Sequence, residues 1–365
     1  MKGKILFIWY KRSKGILEGG GQGSKRNYYM CEQVAGADNV DSLYIHDEFQ
    51  KKRVWDYAQA LWGFPLGYYY GITPARLREI VKTARGYEYV WIDRSIFGVV
   101  AKELKEAGYK GKIIVFFHNV ERVYFDEAKL PKRLPFRSVV LRCVTRNERQ
   151  AMKYSDIVLA LNDRDNAVLK QLYGREADML FPVSMIDKYV PQDETVMTSQ
   201  RLRCLTIGAY FAPNNDGILW FVKNVLPKVD IEYKVVGKGM GKLKAEHPDL
   251  LGNIEVVNDA PDLAPYFREA DCMILPIFSG SGMKVKTCES LMQGKNILAS
   301  TEAFEGYDVD FDKVGGLCNT PDEFIAAIRR LEANPVPRVN SYSRQIFCEK
   351  YSAETMVENL RKVME

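Results

Sequence analysis

The sequence contains little histidine and lacks the short motifs that usually indicate metal or redox chemistry. Its 365 residues include three histidines and seven cysteines, and no two cysteines are spaced as Cys-x-x-Cys. An odd number of scattered cysteines in apolar surroundings is typical of reduced, buried thiols. We therefore expect a cytoplasmic protein without disulfides or structural zinc. No stretch of eighteen apolar residues occurs, which predicts that no segment crosses a membrane.

The dinucleotide-binding fingerprint of NAD-dependent enzymes is also missing. The glycine-rich stretch at residues 19–23 is followed by Ser24, Lys25 and Arg26, so the G-x-G-x-x-G spacing does not occur. A nicotinamide oxidoreductase is therefore disfavoured. Residues 11–23 are instead predicted to form a long loop that cradles a phosphate or lets an acceptor approach the backbone. The apolar run at residues 5–10 is too short for a signal peptide and predicts a first strand.

Length and charge both indicate a chain with two different halves. A chain of 365 residues exceeds what one hydrophobic core usually serves, so we expect two domains. The apolar fraction of 47% and the charged fraction of 27% are those of a soluble globular protein. Residues 1–190 contain 32 Lys+Arg and 22 Asp+Glu, whereas the remainder contains 20 and 25. This asymmetry indicates either different partners for the two halves or a mere fluctuation between solvated surfaces.

Short apolar runs alternate with amphipathic segments along the chain. The predicted strands lie at residues 4–9, 40–45, 89–92, 112–117, 156–160, 202–207, 233–236, 254–257, 272–277 and 297–299. The predicted helices lie at residues 24–35, 95–107, 138–154, 163–172, 215–225, 263–269, 321–333 and 341–364. Residues 46–85 are predicted to be irregular, and residues 236–241 to form a turn. The alternation predicts an α/β protein with parallel sheets covered by helices on both faces.

A polar stretch with two prolines divides this alternation into two similar passes. We predict an N-terminal domain over residues 1–182, a linker over 183–200 and a C-terminal domain over 201–340. Residues 341–365 are predicted to form a helical segment that packs back toward the N-terminal domain. Two doubly wound, Rossmann-like domains facing across a cleft would bind ligands beyond the carboxyl ends of their strands.

Residues 271–300 are the most informative segment. An apolar run leads into a loop of small residues, and a helix-like segment follows. The loop consists of Ser279, Gly280, Ser281, Gly282 and Met283, and the helix-like segment carries Lys284, Lys286 and Glu289. Backbone N–H groups at a helix start, with two lysines, suit an anion, and a carboxylate further along suits sugar hydroxyls. The alternative is an ordinary turn between strand and helix with surface lysines.

This segment resembles the donor-binding motif of the retaining glycosyltransferases of family four, which have the GT-B fold. The resemblance is strongest over residues 271–306 and good over residues 205–227. In the first half it is limited to His118, Asn119 and the glycine-rich stretch. It implies an acceptor-side N-terminal domain and a nucleotide-sugar donor domain at the C-terminus.

The resemblance also implies site residues. Catalytic roles are expected for His118, Lys284 and Glu289, and Arg94 is expected to contribute a cation from the acceptor side. The expected donor-binding residues are Gly21, Gly23, Asn119, Gly208, Asn214, Ser279, Gly280, Ser281, Gly282, Met283 and Lys286. In similar enzymes a residue at the position of His118 contacts the donor sugar. A structural hydrogen bond is the alternative, and the only acidic neighbours visible in the sequence are Glu121 and Asp126.

Two departures from the family pattern concern charge. Many members have two glutamates seven residues apart in this motif, and the first position here is Ser281. Many also place an arginine and a lysine after the first donor-domain strand, where this chain has only uncharged residues at 209–212. The cation for the diphosphate is therefore expected from Lys284 first, then Lys286, with Arg94 contributing.

The expected reaction is transfer of a hexosyl group from a nucleoside-diphosphate sugar to a hydroxyl of a glycan or lipid-linked glycan, with retention of anomeric configuration. Protein cations rather than a metal are expected to stabilise the leaving phosphate, and no cofactor is expected. The one Asp-x-Asp sequence, at residues 163–165, is typical of helix capping. A GT-B nucleotide-sugar epimerase and a non-catalytic nucleotide-sugar-binding protein remain open; nucleic-acid binding is disfavoured because no recognised module occurs.

The basic half has one further pattern. Residues 132–153 place arginines on one helical face, and residues 55–70 are rich in aromatics and follow three basic residues. Together they predict a peripheral contact with the anionic inner face of the membrane, which would bring the site to a lipid-linked acceptor. The alternative is a core helix with a solvated arginine face.

Overall fold

The computed structural model describes residues 3–12, 19–47, 62–69, 71–129, 132–133, 136–193, 195–199, 201–280 and 282–365. Within these residues the chain forms two compact units. The first comprises Met1–Pro182 together with Met356–Glu365, and the second comprises Val183–Thr355.

The first unit contains a six-stranded parallel sheet. Its strands are β1 (Ile5–Arg12), β2 (Val40–Asp47), β3 (Tyr89–Ile92), β4 (Lys112–Phe117), β5 (Ile157–Ala160) and β6 (Met179–Leu180), in the order β2-β1-β3-β4-β5-β6. The central strands are buried on both faces, which explains why they consist of continuous apolar runs rather than alternating ones. The order reverses at β1, so ligands are expected at the carboxyl ends of β1 and β3.

Helices cover both faces of this sheet. They are α1 (Gly19–Ala35), α2 (Pro74–Ala84), α3 (Gly98–Glu106), α4 (Arg137–Tyr154) and α5 (Asp163–Tyr173), and Glu121–Tyr124 forms a short helical turn. The long helix α4 buries one apolar stripe and leaves basic residues exposed. Helices α3 and α4 approach closely at Gly98, where a Cβ atom would lie 1.8 Å from the Asn147 carbonyl oxygen.

The second unit repeats this architecture. Its strands are β7 (Arg203–Ile207), β8 (Glu232–Gly237), β9 (Glu255–Asn258), β10 (Cys272–Leu275), β11 (Asn296–Ala299) and β12 (Gly315–Leu317), in the order β12-β11-β10-β7-β8-β9. All neighbouring pairs are parallel. The order reverses between β7 and β10, so the carboxyl ends of these two strands are the expected ligand edge.

Thr320 and Asn340 provide side-chain caps for two helices of the second unit. The helices are α6 (Ala212–Asn224), α7 (Met240–Glu246), α8 (Ala264–Glu269), α9 (Val285–Met292), α10 (Pro321–Ala333) and α11 (Ser341–Ile346), with short turns at Pro248–Leu251 and Phe311–Val314. Helix α10 starts with a capping box in which Thr320 and Glu323 satisfy each other's backbone N–H groups. The last helix, α12 (Ala353–Met364), passes from the second unit into the first.

The described structure confirms the two doubly wound α/β units but corrects three local predictions. Helix α1 begins at Gly19 rather than at residue 24, so the glycine-rich stretch is helical and not a loop. Residues 74–84, predicted to be irregular, form α2, whose start is capped by Thr73 and followed by Pro74. Helix α7 follows Gly239 directly where a turn was expected, because Gly239 has the left-handed φ of +76° and starts the helix.

Among the described helices, none is both long and apolar enough to cross a lipid bilayer.

Candidate functional site

The first unit brings Asp93 and His118 together at the carboxyl ends of two neighbouring strands. Asp93 follows β3 and His118 follows β4, and these strands pair in parallel register. The His118 Nε2 atom lies 3.1 Å from Asp93 Oδ2. Asp93 is fully buried, and 9% of the His118 side chain is exposed. The sequence analysis missed Asp93 as the acidic partner of His118.

Asp93 is the centre of a hydrogen-bond network. Asn27 Nδ2 and Trp91 Nε1 donate to its Oδ1 atom at 2.8 and 3.2 Å, and the Ser24 hydroxyl also bonds to the carboxylate. Burial opposes ionisation of Asp93, but the interactions with His118, Ser24 and Asn27 outweigh it and lower its pKa. Asp93 is therefore an ionised, fully hydrogen-bonded carboxylate at neutral pH.

The imidazole of His118 is kept neutral by its surroundings. Burial lowers its pKa, Asp93 acts in the opposite direction, and the nearby Arg94 and Arg26 lower it further. Arg26 is held by Asn27 Oδ1 and by the Pro182 carbonyl oxygen, at 2.9 and 3.1 Å. Both arginines are thus part of the same cluster at this edge of the sheet.

Gly23 of the glycine-rich stretch lies against His118, and the stretch is helical rather than a loop. Gly21 and Gly23 lie in the first turns of α1, where glycine makes a helix less stable than alanine would. A Cβ atom on Gly23 would lie 3.1 Å from His118 Cε1 and 3.2 Å from Nδ1. Glycine at position 23 therefore lets the imidazole approach the helix. Asn119 is half-buried and follows His118 directly.

Arg94 is engaged within the first unit. Its Nη1 atom lies 3.6 Å from the buried Glu121 Oε1, and its guanidinium lies over the Tyr10 ring. The buried Glu148, which the sequence analysis did not single out, accepts N–H bonds from Glu121 and Arg122 at 2.7 and 3.0 Å. Burial raises the pKa of Glu148 to about 7. Glu148 thereby fixes the helical turn that follows His118.

In the second unit, Gly208, Asn214 and Lys286 converge at the carboxyl end of β7. Lys286 Nζ, from α9, donates to Asn214 Oδ1 at 2.5 Å, and Asn214 Nδ2 donates to the Ala209 carbonyl oxygen at 2.8 Å. A Cβ atom on Gly208 would lie 3.0 Å from both Lys286 Nζ and Asn214 Nδ2. The lysine thus reaches the loop after β7, where residues 209–212 are uncharged.

The ammonium group of Lys286 has a lowered pKa. Burial and the positive charge of Lys284 lower its pKa to about 8, and the carboxylate of Glu289 acts in the opposite direction. Its hydrogen-bond acceptor in the described part of the chain is the neutral amide of Asn214. An anion bound here would restore the full charge of Lys286 and gain a charge-assisted hydrogen bond.

Lys284 has a different environment. Its Nζ atom donates to Glu302 Oε1 at 2.6 Å and to the Gly282 carbonyl oxygen at 2.7 Å. This ion pair ties the glycine loop to the segment that follows β11. Gly282 has a φ of +67°, which an L residue adopts only at a cost, so the loop requires glycine there. Lys284 was expected to be the principal phosphate cation, but it already has a carboxylate partner.

The remaining loop residues are placed as follows. Ser279 and Gly280 are exposed after β10. Met283 is buried, and its Sδ atom accepts the Val183 N–H at 3.4 Å, so its side chain packs into the unit. Ser281 lies outside the described residues.

Glu289 lies one turn after Lys286 on α9 and is half-buried. Burial raises its pKa, and Lys188 and Lys286 act in the opposite direction. Among the described residues no side chain or backbone donor is hydrogen-bonded to its carboxylate. The carboxylate is therefore available as an acceptor for hydroxyl groups of a ligand.

One family model matches part of this second unit. Residues 201–334 match the family model described as "Glycosyl transferases group 1". The matched residues include Gly208, Asn214, Lys286 and Glu289, so they contain the whole second cluster. A search of curated protein sequences finds no match.

Solved structures resemble this chain over nearly its whole length. The sucrose-phosphate synthase of Thermosynechococcus elongatus is 14% identical, with 99% of this chain and 98% of that chain covered and a TM-score of 0.64. HepE of Anabaena in complex with UDP is 11% identical, with 99% of each chain covered and a TM-score of 0.67. An α,α-trehalose-phosphate synthase of Burkholderia xenovorans is 12% identical, with 99% and 100% covered and a TM-score of 0.59. These likenesses confirm the GT-B fold.

Proposed function

We propose that the protein transfers a hexosyl group from a nucleoside-diphosphate sugar to a hydroxyl acceptor, with retention of anomeric configuration. The observation that carries this proposal is the group 1 match, which includes the Lys286 cluster and Glu289. HepE, a structural neighbour, was solved with UDP and with UDP-glucose, which supports a uridine-diphosphate hexose as the first donor to test.

The second unit would bind the diphosphate through Lys286. A half-buried ammonium with a lowered pKa and a neutral partner gains more from an incoming anion than a lysine already paired with a carboxylate. Lys284, with Gly280 and Gly282, would support the phosphate through the shape of the loop and its exposed backbone. This assignment reverses the order of the two lysines expected from the sequence.

Glu289 would accept hydrogen bonds from the ribose hydroxyls of the nucleotide. Its separation from Lys286 by three residues places both side chains on one face of α9. Gly208 and Asn214 would border the same ligand at the carboxyl end of β7.

The first unit would contribute His118 to the donor sugar, with Asn119, Gly21 and Gly23 around it. Arg94 would face the acceptor. As the glycosidic bond breaks, charge develops on the phosphate oxygens, and preorganised protein cations would stabilise it without a metal ion. In a retaining transfer the departing phosphate would itself accept the proton of the acceptor hydroxyl.

The acceptor proposed is a lipid-linked glycan, because one face of the first unit suits an anionic membrane. Four exposed cations occupy this face of α4: Arg142, Arg146, Arg149 and Lys153. Trp62 and Phe136, 79% and 58% exposed, lie in flanking segments. Residues 55–61 and 70 of the predicted aromatic stretch lie outside the described residues. The expected gain is roughly 1 kcal/mol per basic residue near the surface.

Calorimetric titration with nucleoside-diphosphate sugars, followed by analysis of products with a panel of acceptors, tests the reaction. A new glycosidic bond with the donor's anomeric configuration supports the proposal. Conversion of the sugar nucleotide to its epimer without an acceptor would support the epimerase alternative, and binding without turnover would support a binding protein. Loss of activity with EDTA and rescue by magnesium or manganese would overturn the metal-free mechanism.

Co-sedimentation with vesicles tests the acceptor surface separately. We expect binding to anionic vesicles that decreases at high salt and in an Arg142→Glu/Arg146→Glu variant. Equal, negligible binding to anionic and neutral vesicles would point to a glycan or protein acceptor that is not lipid-linked.

A further inference from the structure

We infer that Asp93 is a positioning residue that fixes His118 as a neutral imidazole with its proton on Nε2, so that Nδ1 accepts a hydrogen bond from a sugar hydroxyl. The part of this inference that concerns the sugar rests on the proposed function. The part that concerns the tautomer rests on the geometry of the first unit alone.

The proton position follows from what Asp93 can do chemically. Its carboxylate receives donors from α1 and β3, namely Asn27, Ser24 and Trp91, and these leave it ionised. An ionised carboxylate only accepts hydrogen bonds. The contact of 3.1 Å between Asp93 Oδ2 and His118 Nε2 therefore requires a proton on Nε2. In a neutral imidazole the other nitrogen, Nδ1, is then an acceptor.

The charges around the ring keep it neutral. Arg26 from α1 and Arg94 from the end of β3 face His118, and Asp93 is the anion that faces it. A protonated imidazole would add a positive charge beside those of Arg26 and Arg94 at a buried site, where Asp93 pairs with His118 and Glu121 pairs with Arg94. His118 would therefore accept a hydrogen bond from a sugar hydroxyl rather than donate a proton to the leaving group.

The space beside Nδ1 depends on glycine. A Cβ atom on Gly23 would lie 3.2 Å from Nδ1, so a methyl group there would occupy the volume that a hydroxyl needs. Glycine is intrinsically unfavourable in the first turns of a helix when compared with alanine. The helix thus has a helix-destabilising residue at position 23, where a side chain would approach the acceptor nitrogen.

Nitrogen-15 NMR of the full-length protein reads the tautomer directly, and assignment is tractable because the chain has three histidines. In the wild type we expect the His118 signals of the Nε2–H tautomer at pH 7. In Asp93→Asn we expect a changed tautomer population and a further fall in the His118 pKa, since the anion is lost. Turnover should fall about 10–100-fold, the usual effect of removing a partner that orients a functional histidine. Asp163→Asn, an exposed site at the start of α5, is the matched control.

Gly23→Ala provides a second variant in case Asp93→Asn folds poorly. We expect it to raise the KM for the sugar nucleotide while leaving the affinity for free nucleoside diphosphate unchanged. Gly86→Ala, where the nearest atom to a new Cβ would be 3.9 Å away, is the control.

The inference is overturned if wild-type His118 is charged or carries its proton on Nδ1 at pH 7. It is equally overturned if Asp93→Asn leaves both the tautomer and the turnover unchanged. The expected tautomer in a protein that transfers no sugar would instead uphold the role of Asp93 and refute the proposed function.

Discussion

The two clusters hold a buried titratable side chain in opposite ways. His118 is hydrogen-bonded to an ionised carboxylate, whereas Lys286 is hydrogen-bonded to the neutral amide of Asn214. In the first arrangement the charged group, the Asp93 carboxylate, already has hydrogen-bond donors before any ligand binds. The second leaves a cation whose pKa is lowered to about 8. Because a buried charge is costly without a counter-ion, we expect the second cluster to select an anion and the first to select a hydroxyl group.

The sharpest test of this contrast is Lys286→Met. We expect turnover to fall about 10²–10³-fold, the usual effect of removing one preorganised group that stabilises developing charge. Lys223→Met, an exposed lysine on α6, is the matched control and should remain active. Steady-state kinetics with the identified donor gives the measurement. Normal turnover in Lys286→Met would return the role to Lys284 or Arg94.

Glu289→Ala tests the hydroxyl acceptor beside the cation. We expect the affinity for nucleoside diphosphate to weaken by about 1.5–3 kcal/mol, the usual worth of a hydrogen bond to a charged group. Glu289→Gln, which keeps an acceptor oxygen, should show a smaller loss. Calorimetry measures both, with the exposed Glu349→Ala as the control. An unchanged affinity in folded Glu289→Ala would remove the ribose assignment.

The pH dependence of nucleotide binding reports on Lys286. Its pKa in the free protein is about 8, and a bound diphosphate should raise it. Binding above that pH therefore requires uptake of a proton, and affinity should fall by up to about tenfold per pH unit. Calorimetry in buffers of different ionisation enthalpy should detect proton uptake near pH 8, and Lys286→Met should abolish it. Affinity independent of pH between 7 and 9.5 would contradict a lysine contact with the diphosphate.

Lys284→Met should lower turnover less than the other site variants do. The ion pair with Glu302 is mostly shielded from solvent, so its loss should lower the free energy of unfolding by more than the ~1 kcal/mol typical of an exposed pair. Turnover should fall less than in Lys286→Met because the main consequence is a looser glycine loop. Urea denaturation and kinetics on the same samples separate the two effects. A larger loss of turnover than in Lys286→Met would restore the order expected from the sequence.

The fold was predictable because local and long-range preferences agree. Continuous apolar runs such as β4 and β10 identify strands buried on both faces, and Thr320 with Glu323 identifies the start of α10. The errors occurred where glycine was taken as a sign of a loop. In α1 the glycine at position 23 lies so close to His118 that a Cβ atom would be 3.1 Å from the ring, and the helix forms despite the low helix propensity of glycine. The start of α2 had a usable signal, Thr73 followed by Pro74, which the aromatic surroundings obscured.

The sequence singled out individual side chains at the ends of strands and loops but not their hydrogen-bond partners. Lys286 and His118 could be singled out because each follows a recognisable strand or loop. Asp93 lies 25 residues before His118, and their contact depends on β3 and β4 being neighbours in the sheet. Glu302 reaches Lys284 for a similar reason, through the loop after β11. The sequence does not state which strands are neighbours in the sheet. Pairs of this kind can therefore be recognised only once the strand order is known.

Helix α12 starts in the second unit and ends in the first, and this affects when the first unit can complete its contacts. The Met364 carbonyl oxygen accepts hydrogen bonds from Tyr89 and Lys112, at 3.0 and 2.7 Å, and both residues begin strands of the first sheet. During synthesis, residues 1–182 emerge first but lack these contacts until residues 356–365 have been made. The second unit, by contrast, is continuous in sequence. The first unit therefore cannot complete its native contacts until residues 356–365 have been made, after every residue of the second unit.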